Sequence, residues 1–498
     1  MSKLAFTLVP ENRIADIDPR LFGSFVEHLG RAVYTGIYEP GHPQADEQGF
    51  RQDVIELVKE INVTTVRYPG GNYVSGFNWR DGIGPKEERP VRLDYAWISK
   101  ETNQFGISEF NQWCQKTGVE PMIAINLGTG TPQEAGYFIE YCNHAGGTTL
   151  SDLRIQHGDE QPYNFKLWCL GNEMDGPWQT GQMSADDYAK KARETAKILR
   201  CVDPEVELIA CGSSSSMMET FPAWDRTVLE ELYDHVDYIS CHQYYENEGN
   251  ERDFLASFVN MDNFIETIVS TANYVKACKR GKKDIMISFD EWNVWYLRGD
   301  PWDAPMKNKE NRFNVAPPLL EDRYSLLDAL VVGGLLCSLI NHCDRVKMAS
   351  LAQLVNVIAP IFTEAGGAAI RQTIFWPFAM VAGVARGSAL RHFIPAGTFS
   401  SKYGDARRIQ SAVVHNSEKD QLYLFALNAD AKESFTLEPD LSAFGQTRLA
   451  EHLILHSDDL YAKNTFDHPD RIMPRPAASA DLTLPPLSWS RITFDIVQ

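Results

Sequence analysis

Short apolar runs rich in β-branched residues recur through the first three quarters of the chain, and stretches with helical spacing of apolar positions lie between them. Such runs predict strands buried on both faces, as in a parallel sheet covered by helices. Eight strands are predicted, at residues 21–27, 63–67, 121–126, 165–173, 206–211, 236–242, 284–291 and 345–353. The clearest helical patterns lie at residues 50–61, 107–117, 185–202, 262–279 and 324–341.

Eight strand–helix repeats favour an α/β fold in which the sheet closes on itself, the (β/α)8 or TIM barrel. We predict that this barrel spans residues 17–384. An open, doubly wound sheet is the alternative, because alternation of strands and helices does not by itself require closure.

After about residue 385 the helical spacing disappears, and short runs of alternating polarity take over. This pattern predicts an antiparallel β-sandwich of the jelly-roll type. The opening run Leu4–Val9 is also strand-like and precedes the first barrel strand, so it can pair with the C-terminal sheet. The predicted second domain therefore consists of residues 1–16 and 385–498.

Composition narrows the possible partners. The net charge of −20 argues against nucleic acid, whose phosphates need a basic surface. The most apolar segment, residues 324–340, contains Asp328 and two adjacent glycines and is interpreted as a buried helix, so no membrane partner is expected. The nine cysteines are scattered, without a CxxC pair, and the N-terminus does not resemble a signal peptide. We therefore expect reduced thiols and a cytoplasmic protein.

Two of the predicted strands end in or near a glutamate, Glu173 in the fourth and Glu291 in the seventh. Burying an unpaired carboxylate is costly, so two such strand ends suggest a pair of acids aimed into a site. In a (β/α)8 barrel the C-terminal strand ends carry catalysis. A carboxylate pair is the minimum equipment for glycoside hydrolysis, with one acid for the leaving oxygen and one base or nucleophile. The alternative is a structural role in which Arg or Lys holds both acids.

The same rim gathers further polar residues, which strengthens the prediction of a site. They are Glu27 from the first strand, Arg67 and Asn72 from the second, Asn126 from the third, Asn172 from the fourth, His242 and Tyr244 from the sixth, and Gln353 from the eighth.

Other chemistries fit less well. The run Gly128-Thr-Gly-Thr-Pro-Gln133 has Gln in place of the last glycine of a dinucleotide loop, and Pro132 stands at the helix start. The run Cys211-Gly-Ser-Ser-Ser-Ser216 lacks the second glycine of a nucleophile elbow. The histidines show no metal-binding spacing. We expect neither a cofactor nor a metal ion.

Three longer motifs resemble the α-L-arabinofuranosidases of glycoside hydrolase family 51. They are Arg67-Tyr-Pro-Gly-Gly-Asn-Tyr-Val-Ser-Gly-Phe-Asn-Trp-Arg-Asp-Gly-Ile-Gly-Pro85, Leu170-Gly-Asn-Glu-Met-Asp-Gly-Pro-Trp-Gln179 and Asp290-Glu-Trp-Asn-Val-Trp295. The likeness extends from Phe22 to the C-terminus.

The resemblance implies a retaining hydrolase in which Glu173 is the general acid/base and Glu291 is the nucleophile. It places Glu27, Asn72, Asn172, Tyr244 and Gln353 around the arabinofuranose ring, and His242 and Trp295 beside the catalytic pair or in a sugar subsite. Trp97 and Trp178 lie on rim loops, where their rings can stack on the leaving group or simply pack.

Three functional interpretations remain at this stage. The first is an exo-acting α-L-arabinofuranosidase that takes arabinose-containing oligosaccharides as substrates. The second is another retaining glycosidase, such as an endo-glucanase, a xylanase or a β-xylosidase, which an open cleft would favour. The third is a carbohydrate-binding protein without activity. The family resemblance also suggests a homo-oligomer, specifically a homohexamer.

Overall fold

Eight parallel strands form a closed barrel in a computed structural model of the chain, which describes residues 2–296, 312–478 and 482–497. Each strand pairs with the next along the chain, and the eighth pairs with the first. The predicted barrel is therefore confirmed, and the open-sheet alternative is wrong. In chain order the barrel strands are Gly23–Phe25, Thr65–Tyr68, Glu120–Ala124, Leu167–Leu170, Glu207–Ala210, Tyr238–Tyr245, Met286–Val294 and Val346–Leu351.

The barrel strands are apolar on both faces because each face meets other protein. In the fourth strand, Leu167 and Cys169 pack inside the barrel with Met122 and Ile209, while Trp168 packs outward among the helices. This two-sided burial explains why the strands appear in the sequence as unbroken apolar runs.

Helices cover the barrel, and the described α-helices are Gln52–Ile61, Ile107–Thr117, Pro132–Asn143, Thr149–Gln156, Ala185–Val202, Ala223–Leu232, Glu251–Leu255, Ser257–Lys279, Leu326–Asn341 and Phe375–Ala382. The first is typical of the outer layer. Its buried side chains include Val54, Val58 and Ile61, which share one face of the helix, and it ends where Asn62 adopts a left-handed conformation with φ of 63°.

The helix Leu326–Asn341 differs, because nearly its whole surface is apolar and buried. It lies between the barrel and the C-terminal sheet, and a Cβ atom at Gly333 would come within 2.5 Å of the Trp489 ring. Glycine therefore lets this helix approach the sheet closely. Over the described ranges, none of the helices has both the length and the apolar character needed to cross a membrane.

The C-terminal part is built from two sheets. A seven-stranded sheet contains, in spatial order, Arg13–Asp16, Ser388–Leu390, Ile409–Asn416, Gln421–Asn428, Ser488–Val497, Gln446–Leu455 and Arg475–Pro476. A three-stranded sheet contains Ser2–Thr7, Phe435–Asp440 and Thr483–Leu484, with the first two strands parallel. Three short hairpins complete the described strands, Arg92–Leu93 with Lys100–Glu101, Ile361–Thr363 with Ala369–Arg371, and Thr398–Ser401 with Gly404–Arg407.

The seven-stranded sheet joins the barrel to the rest of the C-terminal part, since its two faces pack into two different hydrophobic cores. Phe425 and Leu427 pack in the core shared with the barrel, whereas Leu424 and Ala426 pack against the small sheet. The predicted antiparallel sheet domain is thus confirmed, and the N-terminal run contributes strands to it. The domain boundaries near residues 17 and 385 stay a prediction.

Candidate active site

The two glutamates meet at the C-terminal rim of the barrel. Glu173 lies three residues beyond the fourth strand, and Glu291 lies within the seventh, which pairs with the sixth as far as Val294. The seventh strand is therefore longer than the sequence predicts, because hydrogen bonding to its neighbour continues past the acid. In the register of that pairing His242 lies beside Glu291. All three side chains are buried.

His242 links the two acids. Its Nδ1 atom lies 2.9 Å from Oε1 of Glu173 and 3.6 Å from Oε2 of Glu291. One nitrogen of His242 and one oxygen of each glutamate all lie within 4.8 Å of one another. The two carboxyl groups are therefore close enough to contact the two atoms of a single bond in a bound molecule.

Each of the four carboxylate oxygens already has a protein partner. The Glu173 oxygens contact His242 and the indole N–H of Trp178, the latter over 2.6 Å. The Glu291 oxygens accept from the Arg67 guanidinium and, over 2.5 Å, from the Tyr244 hydroxyl. Because every oxygen faces a donor or a ring nitrogen, the cluster can exchange protons with its neighbours.

The electrostatics separate the members of the cluster. Burial favours the neutral form of Glu291, but His242, Arg67 and the Tyr244 hydroxyl together hold the pKa of this carboxyl below its usual range. Burial opposes the charged form of His242, yet the two glutamates raise the pKa of its imidazole. The arrangement thus favours an ionised Glu291.

Arg67 and Asn172 adjoin the two acids, since Arg67 pairs with Glu291 and Asn172 directly precedes Glu173 in the chain. Arg67 lies in the second strand, is fully buried, and donates to Oδ1 of Asn172 over 3.0 Å. The amide nitrogen of Asn172 is 3.3 Å from Oδ1 of Asn72 and 3.4 Å from Oε1 of Gln179. These contacts orient the Asn172 amide at the strand end that precedes Glu173.

Glu27, two residues beyond the first strand, is the centre of a second group of hydrogen bonds in the site. Its Oε1 accepts from the backbone N–H of Tyr73 (2.9 Å) and the indole N–H of Trp97 (2.8 Å), and its Oε2 accepts from the amide of Gln353 (3.0 Å). Burial raises the pKa of Glu27 to about 8 in spite of these donors. This cluster can exchange hydrogen bonds with the hydroxyls of a sugar.

A cavity of about 260 Å³ lies between these groups. Tyr244 and Trp295 form one wall, with their rings edge to face and 4.9 Å between centroids. Trp178 is 44% exposed at the mouth. The polar and aromatic lining residues are Phe25, Glu27, Asn72, Trp97, Glu173, Trp178, Ser214, Ser215, Gln243, Tyr244, Glu291, Trp295 and Gln353.

Nearly all the residues singled out from the sequence thus lie together. Arg67, Asn172 and His242 do not line the cavity, but each forms a hydrogen bond with a residue that does: Arg67 with Glu291, Asn172 with Asn72 and His242 with Glu173. Asn126 was expected in the site but lines a neighbouring cavity. Its amide nitrogen donates to the carbonyl of Phe77 and to the hydroxyl of Thr129, and its amide oxygen accepts from the backbone N–H of Thr129.

Ser214, Ser215 and Gln243 are site residues that the sequence analysis missed. The two serines follow the fifth strand, Glu207–Ala210, for which no rim residue was predicted. The polar run Ser213–Ser216 was the available signal, since it starts where a buried strand ends.

Two family models match the chain. Residues 57–266 match the family model of the α-L-arabinofuranosidase 1 domain, and residues 290–488 match that of the α-L-arabinofuranosidase C-terminal domain.

Similar proteins match along almost the whole chain. An intracellular exo-α-(1→5)-L-arabinofuranosidase of Acetivibrio thermocellus is 52% identical over 470 residues, covering 94% of this chain and 93% of the relative. An exo-α-(1→6)-L-arabinofuranosidase of Bifidobacterium longum is 50% identical, covering 97% and 96%. The solved structure of a family 51 α-L-arabinofuranosidase from Bifidobacterium longum superposes with a TM-score of 0.94 at 46% identity, covering 99% of this chain and all of that one. The chain therefore belongs to the α-L-arabinofuranosidases of glycoside hydrolase family 51 and is a glycoside hydrolase.

Proposed function

We propose that the protein removes terminal non-reducing α-L-arabinofuranosyl residues from arabinan, arabinoxylan or their oligosaccharides, with retention of anomeric configuration. Glu291 is the nucleophile and Glu173 is the general acid/base. The observation that carries this proposal is the closeness of the two carboxyl groups, whose facing oxygens lie within 4.8 Å. Retaining enzymes hold their carboxyl groups about 5–5.5 Å apart, and inverting enzymes roughly 6.5–9.5 Å apart.

In the first step an oxygen of Glu291 bonds to the anomeric carbon while the bond from that carbon to the glycosidic oxygen breaks. Glu173 gives its proton to the departing oxygen, which leaves as an alcohol. In the second step Glu173 takes a proton from water, the water oxygen bonds to the anomeric carbon, and Glu291 is released as a carboxylate. Two displacements on the same carbon restore the starting configuration.

The neighbours of each acid suit these roles. Arg67 and Tyr244 donate to Glu291, which supports the ionised form that a nucleophile needs. His242 lies 2.9 Å from Glu173, so a proton can reside on either group as Glu173 alternates between acid and base.

The remaining polar residues fit a furanose ring. Asn172, held by Arg67 next to the catalytic pair, can bond the 2-hydroxyl, a bond that strengthens as positive charge develops on the ring. Glu27, Asn72 and Gln353 can bond the other hydroxyls. Trp97, Trp178 and Trp295 present ring surface or edge to the sugar and its leaving group.

The size of the cavity favours removal of single residues. Pockets for drug-sized ligands span roughly 300–1,000 Å³, and the volume here is about 260 Å³. This volume suits one sugar unit better than a polymer segment, so we favour exo action over the endo-acting alternative. The binding-protein alternative gives no reason to bury two acids.

Two similar enzymes are named for different linkages, α-(1→5) and α-(1→6), so we propose short arabinosides of either linkage as substrates. The α-(1→5) relative is named intracellular. We therefore propose that this protein acts in the cytoplasm on imported oligosaccharides. Assembly as a homohexamer stays a prediction, which light scattering on the purified protein tests directly.

Stereochemistry is the test of the mechanism. Proton NMR of the anomeric region during early turnover of an aryl α-L-arabinofuranoside should reveal α-arabinose first, with the β-anomer appearing only as the product mutarotates. An initial β-anomer would contradict the nucleophile role of Glu291.

Exo action has a separate test. Arabinotriose labelled at its reducing end should give unlabelled arabinose and labelled arabinobiose as the first products. Cleavage of a longer arabinan in its interior before arabinose appears would contradict it.

A further inference from the structure

Two donors to Glu27 come from different parts of the rim. Its Oε1 accepts from the backbone N–H of Tyr73 and from the indole N–H of Trp97. Trp97 lies between the two strands of the hairpin Arg92–Leu93 with Lys100–Glu101, which we call the rim hairpin. The position of the indole therefore depends on what holds the rim hairpin in place.

The rim hairpin has little structure of its own. Each strand has two residues, and a short isolated hairpin is marginally stable in water. The side chains of Leu93 and Tyr95 are exposed and bury little apolar surface. Asp94 accepts from the backbone N–H groups of Ala96 and Trp97, which shapes the tip of the hairpin but does not attach it to the barrel.

A buried pair attaches the base of the rim hairpin to the segment after the first barrel strand. His28 directly follows Glu27 in the chain, and its Nδ1 lies 2.8 Å from Oε2 of Glu101, the last residue of the hairpin. The other oxygen of Glu101 accepts from the Tyr34 hydroxyl and, over 2.6 Å, from the backbone N–H of Asn103. Both members of the pair are buried, so water does not compete for these bonds.

The charge of Glu101 suits this role. Burial raises the pKa of its carboxyl, but His28, the Tyr34 hydroxyl and the N–H of Asn103 outweigh burial and hold that pKa below its usual range. Glu101 is therefore a carboxylate at neutral pH and can accept from all three partners.

His28 is itself held from several sides. Its Nε2 lies 2.7 Å from the Tyr68 hydroxyl. Its ring also packs within an aromatic cluster, at centroid distances of 4.9–6.3 Å from the rings of Tyr34, Tyr68, Tyr73, Phe77 and Phe105. The nearest of these rings belongs to Tyr73, whose backbone N–H is the other donor to Oε1 of Glu27. His28 thus adjoins both segments that donate to this oxygen.

We propose that the buried pair of His28 and Glu101 positions the indole of Trp97 for its hydrogen bond to Glu27, and thereby sets the affinity of the site for the sugar. Both are positioning residues, because neither is among the residues that line the cavity. The inference rests on the proposed contact of Glu27 with a sugar hydroxyl and deepens it.

The test is the steady-state kinetics of His28→Phe on an aryl α-L-arabinofuranoside, alone and combined with Trp97→Phe. Phenylalanine keeps a ring in the aromatic cluster, including its contact with Tyr73, but offers no bond to Glu101. We expect KM to rise about three- to tenfold, with kcat within about threefold of wild type. In the Trp97→Phe background the same change should alter KM less than about twofold, because the indole N–H that the pair positions is already absent.

Glu101→Gln is a second variant, in case His28→Phe lowers the yield of folded protein. An amide offers one acceptor oxygen to three donors, so KM should rise by less, and again only while the Trp97 indole is present. His342→Phe is the matched control, since it breaks another contact of this kind, 3.2 Å from Nε2 to Oδ1 of Asp262. Neither of those two residues lines the site cavity. The control should keep KM within about twofold of wild type.

Three results would overturn the inference. The first is a folded His28→Phe variant with the KM of wild type, and the second is a rise in KM by the same factor with and without the Trp97 indole. The third is an equal rise in His342→Phe. Trp97→Phe alone tests the sugar contact that the proposed function assumes. If it raises KM and His28→Phe does not, only this inference fails. If it leaves KM unchanged, the proposed contact of Glu27 fails, and the inference with it.

Discussion

Replacing Tyr244 by phenylalanine removes a single oxygen atom, the one whose hydrogen bond to Oε2 of Glu291 spans 2.5 Å. The ring is held separately by its edge-to-face contact with Trp295, so the wall of the cavity should persist. Glu291 keeps Arg67 and His242 as neighbours but loses one of its hydrogen bonds.

The size of the effect follows from the kind of bond that is lost. A hydrogen bond to a charged group contributes about 1.5–3 kcal/mol. The Tyr244 bond helps to lower the pKa of Glu291, so its loss raises that pKa. The surroundings of Glu291 lower its pKa in the wild type. The proposed nucleophile must be ionised to react, so we expect activity to be lost as pH falls. We therefore expect the acidic limb of kcat/KM to move to higher pH in Tyr244→Phe.

The assay is kcat/KM on an aryl α-L-arabinofuranoside between pH 4 and 8. Activity at low pH should fall by about 10–100-fold, with a smaller deficit at higher pH. Tyr245→Phe is the matched control, since this neighbouring buried hydroxyl bonds Asn260 instead of Glu291. A uniform loss at every pH, with an acidic limb that does not move, would refute the reasoning.

The remaining predictions concern the acid/base, a sugar contact and the base of the barrel. Glu173→Ala should lower activity on arabinobiose by about 10²–10⁴-fold, yet a dinitrophenyl arabinoside should still form the covalent intermediate. Azide should then restore turnover with retained configuration. Equal losses on both substrates would contradict the acid/base role of Glu173. Trp97→Phe removes the indole N–H that donates to Glu27 and should raise KM by about tenfold with a smaller change in kcat. The indole nitrogen of Trp79 has no partner among the described residues, so the control variant Trp79→Phe should leave KM unchanged. Arg20→Met breaks the ion pairs with Glu120 and Glu207 that link the third and fifth barrel strands and should cost about 1–3 kcal/mol in denaturant unfolding; Arg226→Met, which breaks an exposed 3.9 Å pair with Glu230, should cost less than about 0.5 kcal/mol.

The barrel was predictable because its strands are buried on both faces. The run ending at Leu170 is apolar at every position, for Leu167 faces the interior and Trp168 faces the helices. Where such an apolar strand is followed by polar residues, the change in polarity indicates the end of the strand at the rim of the barrel. This change predicted the positions of Glu173 and Gln353 from the sequence.

The hydrogen bonds between residues on different loops of the site were harder to predict from the sequence. Ser214 lies in a run of four serines that look alike in the sequence. Only the fold shows that its hydroxyl donates to Asp175 and that Ser214 and Ser215 line the cavity. Gln179 reaches back to Asn172, but nothing in its local sequence distinguishes it from any polar loop residue. Such contacts depend on the angle at which two loops leave neighbouring strands, which no local pattern of residues encodes.

The sequence predicted the strands of the C-terminal part but not which strands pair with one another. The N-terminal strand was expected to join the C-terminal sheet, yet Ser2–Thr7 pairs in parallel with Phe435–Asp440 in the small sheet, while Arg13–Asp16 forms an edge of the large one. Partners so far apart in the chain are chosen by the packing of the two cores and not by local propensity.

The most direct measurement of the central claim identifies the residue that bonds to the sugar. Glu173→Ala should accumulate the glycosyl-enzyme when it is mixed with a dinitrophenyl arabinoside, and rapid acid quenching, proteolysis and mass spectrometry then locate the adduct. The account predicts one anhydropentosyl unit, attached to Glu291 within the peptide that contains Ser288–Val294. An adduct on another side chain, or steady turnover without any adduct while the product still forms, would contradict it.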